Sequence, residues 1–280
     1  MLKFVINYIL TKYPRFYTAL DMARHYSSFF AYCYHMIFKK PYFGFYMGSH
    51  QVWPTRAPFM RCLMEKICAE CESLNMLEIG SWAGESAVLW ADIAKGKYAI
   101  EKPPEIRIIC VDPWRFYPAL KANPRLWAME KASRSDKIFS LFLHNIKYSG
   151  HSDVIIPLRT QSQVAAGFFC KGLFDMVFID GDHSYSSVAF DIRNYAPLLK
   201  DGGYICGDDL EVQMSQGIDE AFARENCSQD VIRDPKTGEW LHPGITLAVG
   251  EFFGEVSVYS GFWVMQKVGV SWRKVELSTE

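Results

Sequence analysis

The chain has 280 residues, half of them apolar, and carries 30 lysines and arginines against 31 aspartates and glutamates. A chain of this size and composition buries a substantial core, which argues against disorder. Its net charge of −1 provides no overall basic field, so we expect no nucleic-acid partner.

Cysteine content and apolar segments indicate the cellular compartment. We expect reduced thiols, since a chain of this size needs no disulfides and Cys110 and Cys206 fall in predicted core strands. No cleavage site follows the apolar run from Phe4 to Leu10, and the stretch from Tyr26 to Phe38 is too short to span a bilayer. These features favour a cytoplasmic protein, with peripheral attachment to the inner face of a membrane as an open alternative.

Residues 1–46 differ in composition from the rest of the chain. They hold 15 of the 43 aromatic residues, and six lysines or arginines against one aspartate. Such a segment is typical of a helical cap or dimerisation arm, of a surface that lies on anionic lipid, or of a lid over a substrate. A homo-oligomer and a peripheral membrane contact through residues 1–46 both fit this composition.

From about residue 57 the hydrophobic pattern becomes regular. Its helical periodicity predicts helices over residues 57–72, 85–94, 125–147, 162–169, 186–199 and 245–253. Short apolar runs predict strands over residues 76–79, 106–111, 154–158, 174–179, 204–206, 256–259 and 262–266. The polar residues 95–105 and 210–244 are predicted to form loops.

Strands that alternate with helices predict an α/β fold with a doubly wound, mainly parallel sheet of seven strands. The last two predicted strands flank Ser260-Gly261 and should form a C-terminal antiparallel hairpin. We expect an N-terminal helical extension over residues 1–56 and one domain over residues 57–280.

Two glycines bracket the turn after the first predicted strand. Gly80 and Gly84 lack side chains, so a ligand can approach backbone amides that point outward there. Their spacing differs from G-x-G-x-x-G, which disfavours a nicotinamide dinucleotide. Asp112 ends the next strand, where it can accept hydrogen bonds from a ribose diol or cap the following turn.

Carboxylates follow two later strands. Asp180 comes directly after residues 174–179, and Asp208 and Asp209 come shortly after residues 204–206. Three carboxylates at neighbouring strand ends repel one another, and a divalent cation such as Mg²⁺ or Mn²⁺ would resolve that conflict. The structural alternative is helix capping or pairing with Arg193.

His183 lies three residues beyond Asp180, on the loop that leads into a helix. A histidine of near-neutral pKa can take a proton from a hydroxyl whose acidity a metal has raised. A plain surface histidine is the alternative, and Asp182 could orient His183, bind the metal or cap the helix. No neighbouring residues single out the other histidines, including His144, His151 and His242.

These residues resemble the class I S-adenosylmethionine-dependent O-methyltransferases. The resemblance covers residues 45–267, and its most specific segment is FDMVFIDGDHSY at residues 174–185. The chain is similar in particular to the metal-dependent branch with the catechol, caffeoyl-CoA and macrolide-sugar methyltransferases. The catechol enzymes carry lysine and asparagine where this chain has His183 and Asp209, which favours the sugar-modifying branch.

The resemblance implies a Rossmann-like methyltransferase fold and a role for each motif residue. S-adenosylmethionine would be bound by residues of the glycine turn, the second strand end and the loop after the third strand, namely Glu78, Gly80, Ser81, Gly84, Asp112, Trp114, Ser162 and Gln163. The metal would be bound by Asp180, Asp208 and Asp209. His183 would act as the catalytic base next to Asp180.

The function implied is a metal-assisted, in-line transfer of a methyl group to a hydroxyl of a sugar, glycan or other small polyol. A methyltransferase that needs no metal is one alternative, with the aspartates in structural roles. A glycosyltransferase is another, because the Asp180-Gly181-Asp182 triplet has the D-x-D pattern of enzymes that bind nucleotide sugars. The non-enzymatic alternative is a cofactor-binding scaffold without activity.

Overall fold

A central β-sheet organises the computed structural model, which describes residues 14–97, 103–115 and 127–278. Its strands and those of a small separate hairpin are β1 (Ser73–Ile79), β2 (Glu105–Val111), β3 (Ile155–Leu158), β4 (Phe174–Ile179), β5 (Leu199–Gly207), β6 (Ile232–Arg233), β7 (Trp240–Leu241), β8 (Ser257–Tyr259), β9 (Phe262–Val268) and β10 (Ser271–Lys274). The sheet runs in the order β10-β9-β5-β4-β1-β2-β3, and β8 also pairs with β9. Five neighbouring strands are parallel, in the spatial order β3, β2, β1, β4 and β5. In contrast, β9 is antiparallel to β5, β8 and β10.

Helices cover both faces of this sheet. They are α1 (Pro14–Ser27), α2 (Phe29–Ile37), α3 (Ala57–Glu70), α4 (Glu85–Ala94), α5 (Trp127–Ser133), α6 (Lys137–Tyr148), α7 (Ser162–Ala165), α8 (Tyr185–Tyr195), α9 (Glu220–Glu225) and α10 (Pro243–Phe253). Alternate residues of β1 face opposite layers: Met76 packs with α3, α4 and α6, and Leu77 packs with α8 and α10. Both faces of the central strands β1 and β4 are therefore buried.

The predicted α/β fold is confirmed, including its doubly wound, mainly parallel sheet and its antiparallel C-terminal pair. The predicted helix over residues 125–147 is wrong, because polar residues 134–136 separate α5 from α6; residues 125–126 lie outside the described part. The predicted loop over residues 210–244 is also wrong, since it contains α9 and the β6–β7 hairpin. These elements are too short to produce a periodic signal.

Two helices begin the described part of the N-terminal extension. α1 lies against α5, and beyond α2 the side chains of Tyr42 and Met47 are 3% and 2% exposed in the main core. In contrast, α2 contains no buried residue. None of the described helices is long and apolar enough to cross a membrane. Residues 1–13, part of the predicted extension, lie outside the described ranges.

Candidate active site

The strand ends that carry the predicted motifs are level with one another. Ile79 of β1 pairs with Val111 of β2 and with Ile179 of β4, and Ile179 pairs with Gly207 of β5. The residues that follow these ends therefore form one row along the edge of the sheet: Gly80, Asp112, Asp180 and Asp208. The sheet order reverses direction at β1, and α/β folds bind ligands in the crevice at such a switch point.

Gly80 packs the loop after β1 against the loop after β4. Its φ is +85°, and its N–H donates to the carbonyl of Val111 at 2.9 Å. A side chain at this position would overlap the backbone carbonyl of Asp180. The N–H of Asp180 in turn donates to the carbonyl of Ile79 at 2.8 Å. Only glycine permits this close approach.

Glu78 lies buried behind this turn, with 0% exposure. Neither carboxylate oxygen has a hydrogen-bond partner among the described residues. Burial raises its pKa to about 7, although the nearby hydroxyls of Ser81 and Ser86 oppose the shift. A buried carboxylate whose nearby donors are two hydroxyls, neither in good hydrogen-bond geometry, favours either protonation or a positively charged ligand group in its vicinity.

Two tryptophans hold Asp112 through their backbones. Trp82 at φ +40° donates its N–H to Oδ2 at 2.9 Å, and Trp114 at φ +47° donates its N–H to Oδ1 at 2.5 Å. The indole N–H of Trp114 also donates to the carbonyl of Trp82 at 2.6 Å. Burial raises the pKa of Asp112, and these backbone donors oppose that shift. Each oxygen keeps a lone pair that can accept from a ligand.

Arg56 lies among the carboxylates that follow β5. The residue is 7% exposed, and its Nη1 lies 2.5 Å from Oδ2 of Asp208 and 2.8 Å from Oδ1 of Asp209. Its Nη2 lies 2.9 Å from Oε1 of Glu211, and its Nε donates to the carbonyl of Ser260 at 2.8 Å. The guanidinium thus binds one oxygen of each neighbouring aspartate and offsets part of their charge.

The remaining oxygens of this cluster have the character of a cation site. Oδ1 of Asp208 is buried without a hydrogen-bond partner among the described residues. One donor atom each of Asp180, His183 and Asp209 lies within 4.8 Å of the other two. Burial and the charges of Asp208 and Asp209 raise the pKa of Asp180 well above its usual range. This donor set fits a hard divalent cation, which would relieve the repulsion.

His183 is oriented by Asp230. Its Nδ1 lies 2.7 Å from Oδ1 of Asp230, and its Nε2 lies 3.4 Å from Oδ2 of Asp209. Burial lowers the pKa of His183, but the two carboxylates outweigh burial and raise it to about 9. Burial raises the pKa of Asp230, but the hydrogen bond from His183 outweighs it and holds that pKa below its usual value. Asp230 is therefore the acceptor and Nδ1 carries the proton.

A second histidine, His242, lies beside the first. The two rings are 4.9 Å apart, and Nδ1 of His242 lies 2.9 Å from Oε2 of Glu211. Burial lowers the pKa of His242, but Glu211 and Asp209 raise it to about 9. In return, His242, His183 and Arg56 hold the pKa of Asp209 below its usual value in spite of its burial. Three basic groups thus surround one aspartate.

These groups line a single cavity of about 760 Å³, a size that suits a cofactor together with a small acceptor. Nine of the predicted site residues line it: Gly80, Ser81, Asp112, Ser162, Gln163, Asp180, His183, Asp208 and Asp209. Glu78, Gly84 and Trp114 lie behind its wall instead. A side chain at Gly84 would contact Phe142 at 3.0 Å, and Trp114 is 0% exposed, with its ring centroid 4.7 Å from that of Phe142.

The residues of this cavity that sequence reasoning missed include Arg56, Asp230 and His242. Arg56 falls in the predicted extension, and the other two fall in a predicted loop. The one local signal is the glycine two residues after His242, because a side chain at Gly244 would overlap the carbonyl of His183. That close approach brings the start of α10 onto the His183 loop.

Comparison with known proteins places this site in context. Residues 77–210 match a family described as a methyltransferase domain. No curated protein matches the chain. Among solved structures, the O-methyltransferase NovP is 14% identical, with a TM-score of 0.53 over 91% of this chain and 99% of NovP.

Two further structures resemble the chain less closely. An O-methyltransferase from Bacillus cereus in complex with SAH is 18% identical, with a TM-score of 0.49 over 79% of this chain and 84% of its own. TomG from Streptomyces achromogenes, an O-methyltransferase involved in tomaymycin synthesis and solved with SAM, is 14% identical, with a TM-score of 0.48 over 84% of this chain and 86% of its own. At such identities a likeness concerns the fold.

Proposed function

We propose that this chain, whose residues 77–210 match a methyltransferase domain, uses S-adenosylmethionine to methylate a hydroxyl of a sugar, glycan or other small polyol with the help of Mg²⁺ or Mn²⁺. The observation that carries this proposal is the acid cluster beside His183, in which one buried aspartate oxygen has no partner. Around the cluster, hydrogen-bonding side chains and Trp53 line the cavity. Such a lining suits a polar, multiply hydroxylated acceptor.

The glycine-turn half of the cavity would bind the cofactor, whose sulfonium supplies an electrophilic methyl group. Asp112 would accept from the ribose hydroxyls, because two backbone N–H groups already fix its oxygens. Ser162 and Gln163 line the part of the cavity next to the end of β3, where the adenine of the cofactor would lie. Behind the turn, Glu78 would favour the positive charge of the methionine portion.

The acid half would bind the metal through Asp180, Asp208 and Asp209. The chemistry that a cation would supply there is Lewis acidity toward an acceptor hydroxyl. Arg56 contacts the other oxygens of Asp208 and Asp209, so its planar guanidinium would fix the orientation of both ligands. Arg56 is thus proposed as a positioning residue of the metal site.

His183 would remove the hydroxyl proton through Nε2, since Asp230 keeps the other proton on Nδ1. With a pKa of about 9, the imidazole is protonated at neutral pH unless positive charge near Asp209 offsets the carboxylates. Nε2 of His183 would keep the proton from the acceptor hydroxyl, while the acceptor oxygen would take the methyl group and the cofactor sulfur would leave with the electron pair of the broken carbon–sulfur bond. Base and metal are therefore expected to act together.

A methyltransferase that needs no metal is the second candidate, and Arg56 is the observation that favours it. Its guanidinium already places a permanent positive charge between Asp208 and Asp209. In that case Arg56 and the two histidines would balance the carboxylates, and turnover would persist in the presence of EDTA.

Calorimetry separates these candidates. S-adenosylhomocysteine is titrated into the protein with Mg²⁺ and then with EDTA, and Mg²⁺ is titrated into wild type and into Asp208→Ala. Product binding together with a metal isotherm that the variant loses would support the metal-assisted reaction. Product binding without any metal isotherm would favour the second candidate, and the absence of product binding would refute both. Methyl transfer to a panel of sugars and polyols then identifies the acceptor.

A further inference from the structure

One face of α2 is apolar and exposed. Phe30, Tyr34, Ile37 and Phe38 recur at the spacing i, i+4, i+7 and i+8, which places them on the same side of the helix. Their exposed fractions are 78%, 47%, 73% and 58%. An exposed apolar stripe of this kind marks an interaction surface.

Lysines accompany the aromatic rings of this region. Lys39 and Lys40 directly follow α2 and are exposed. Nζ of Lys40 lies 3.2 Å from the hydroxyl of Tyr34 and 5.1 Å from its ring centroid. On α5, which contacts α1, Nζ of Lys131 lies 5.0 Å from the ring centroid of Tyr26 on α1. Aromatic rings accompanied by lysines are typical of a helix that lies in the headgroup region of an anionic membrane.

We propose that this α2 face docks the enzyme on an anionic lipid surface. Charge complementarity supports that partner, because residues 14–46 contain four lysines or arginines and one acidic residue. Pairing with a second copy would place the same lysines opposite one another. It would also be small, because a large side chain presents about 200 Å² when fully exposed, and at their exposed fractions the four side chains together offer on the order of 500 Å². A stable interface buries about 800 Å² on each partner.

The same N-terminal segment also reaches the cavity. Gly48, His50 and Trp53 line it, and Trp53 is 58% exposed. This inference rests on the surface of α2 and is independent of the proposed reaction.

Sedimentation of the full chain with vesicles tests the proposal. The vesicles contain phosphatidylcholine alone or with roughly one third phosphatidylserine, an anionic lipid. We expect binding to the anionic vesicles that weakens as salt is raised, since salt screens the lysines. The double variant Ile37→Ser, Phe38→Ser should bind the anionic vesicles at least about tenfold more weakly, because two large apolar side chains no longer insert. Lys39→Gln with Lys40→Gln should lower binding to the anionic vesicles only.

Val270→Ser is the matched control, because Val270 is 102% exposed but lies in the turn between β9 and β10. It should bind vesicles like wild type. Unchanged thermal unfolding and S-adenosylhomocysteine binding would show that the α2 variants remain folded. Wild type that stays in the supernatant, or an α2 variant that binds equally well, would overturn the proposal. A wild-type dimer that the α2 double variant converts to a monomer would assign this face to a second copy instead.

Discussion

The two halves of the cavity are built in different ways. In the glycine-turn half, backbone groups set the geometry, since the N–H groups of Trp82 and Trp114 hold Asp112. In the acid half, side chains meet from distant parts of the chain. Arg56 and Asp209 are 153 positions apart, and His183 and Asp230 are 47 positions apart. The first half should therefore depend on backbone conformation, and the second on individual charged groups.

Gly80→Ala should cause the largest effect, because Gly80 joins the two halves. The new methyl group would overlap the carbonyl of Asp180 at a φ of +85°. We expect the free energy of unfolding to fall by about 3–5 kcal/mol and cofactor binding to be lost. Gly202→Ala is the control, since its φ is +80° but no atom lies within 4 Å. It should cost about 1–2 kcal/mol. If urea unfolding shows equal losses of stability for Gly80→Ala and Gly202→Ala, the overlap with Asp180 contributes nothing and Gly80 is needed only for its positive φ.

His183→Ala should affect the acid half alone. We expect turnover to fall by about 10²-fold or more because the proton acceptor is lost. Binding of S-adenosylhomocysteine should be unchanged, since His183 lies outside the glycine turn. Asp230→Asn should give a smaller loss, through misorientation of the ring. His144→Ala, outside the cavity lining, is the control. Turnover that survives in His183→Ala would remove this residue as the base.

Arg56→Lys should separate charge from geometry in the acid half. Lysine keeps the positive charge but cannot bond Asp208, Asp209 and the Ser260 carbonyl together. We expect Mn²⁺ affinity, measured by electron paramagnetic resonance, to fall about 10- to 100-fold. The control is Arg61→Lys, whose surface pair with Glu65 spans 2.7 Å. Unchanged or tighter Mn²⁺ binding would contradict the positioning role.

Glu78→Gln should act through the pH dependence of stability rather than through the geometry of either half. The pKa of Glu78 is about 7 in the folded protein, against an ordinary value of 4.5. The stability conferred by its bound proton is present below pH 4.5 and is lost as the pH rises through 7. That loss amounts to about 3 kcal/mol at most.

Glutamine stays neutral, so the melting temperature of Glu78→Gln relative to wild type should rise between about pH 5 and about pH 8. Each kcal/mol corresponds to roughly 2–4 °C. Glu239→Gln, at an exposed position, is the control. A difference in melting temperature that does not change with pH would contradict the raised pKa of Glu78.

The sequence predicts the residues at the strand ends of the site better than their partners for a physical reason. Gly80, Asp112 and Asp180 follow buried apolar strands, and parallel strands that start together also end together. Their common edge could therefore be inferred without knowledge of any side-chain contact. The cluster of Asp208 and Asp209 could be placed on the same grounds.

The partners of that cluster could not be predicted. Arg56 and His242 reach it from an extension and from an irregular segment, and such pairings leave no periodicity in the sequence. β10 escaped prediction in a similar way, because an edge strand with mostly exposed side chains lacks an apolar pattern. The burial of Trp114 likewise depends on how α6 packs, which its position after β2 does not reveal.

The contact between Arg56 and the turn after β8 links the acid cluster to the order of protein synthesis. Ser260 and Arg56 are 204 positions apart, and a side chain at Gly261 would come within 2.6 Å of Nη2 of Arg56. A growing chain exposes its glycine turn, Asp112 and Asp180 long before this turn leaves the ribosome. Until then Arg56 lacks its hydrogen bond to the Ser260 carbonyl, which helps to hold it against Asp208 and Asp209. During synthesis the residues of the glycine-turn half therefore emerge first, and Arg56 can make its contact with the turn after β8 only once that turn has emerged.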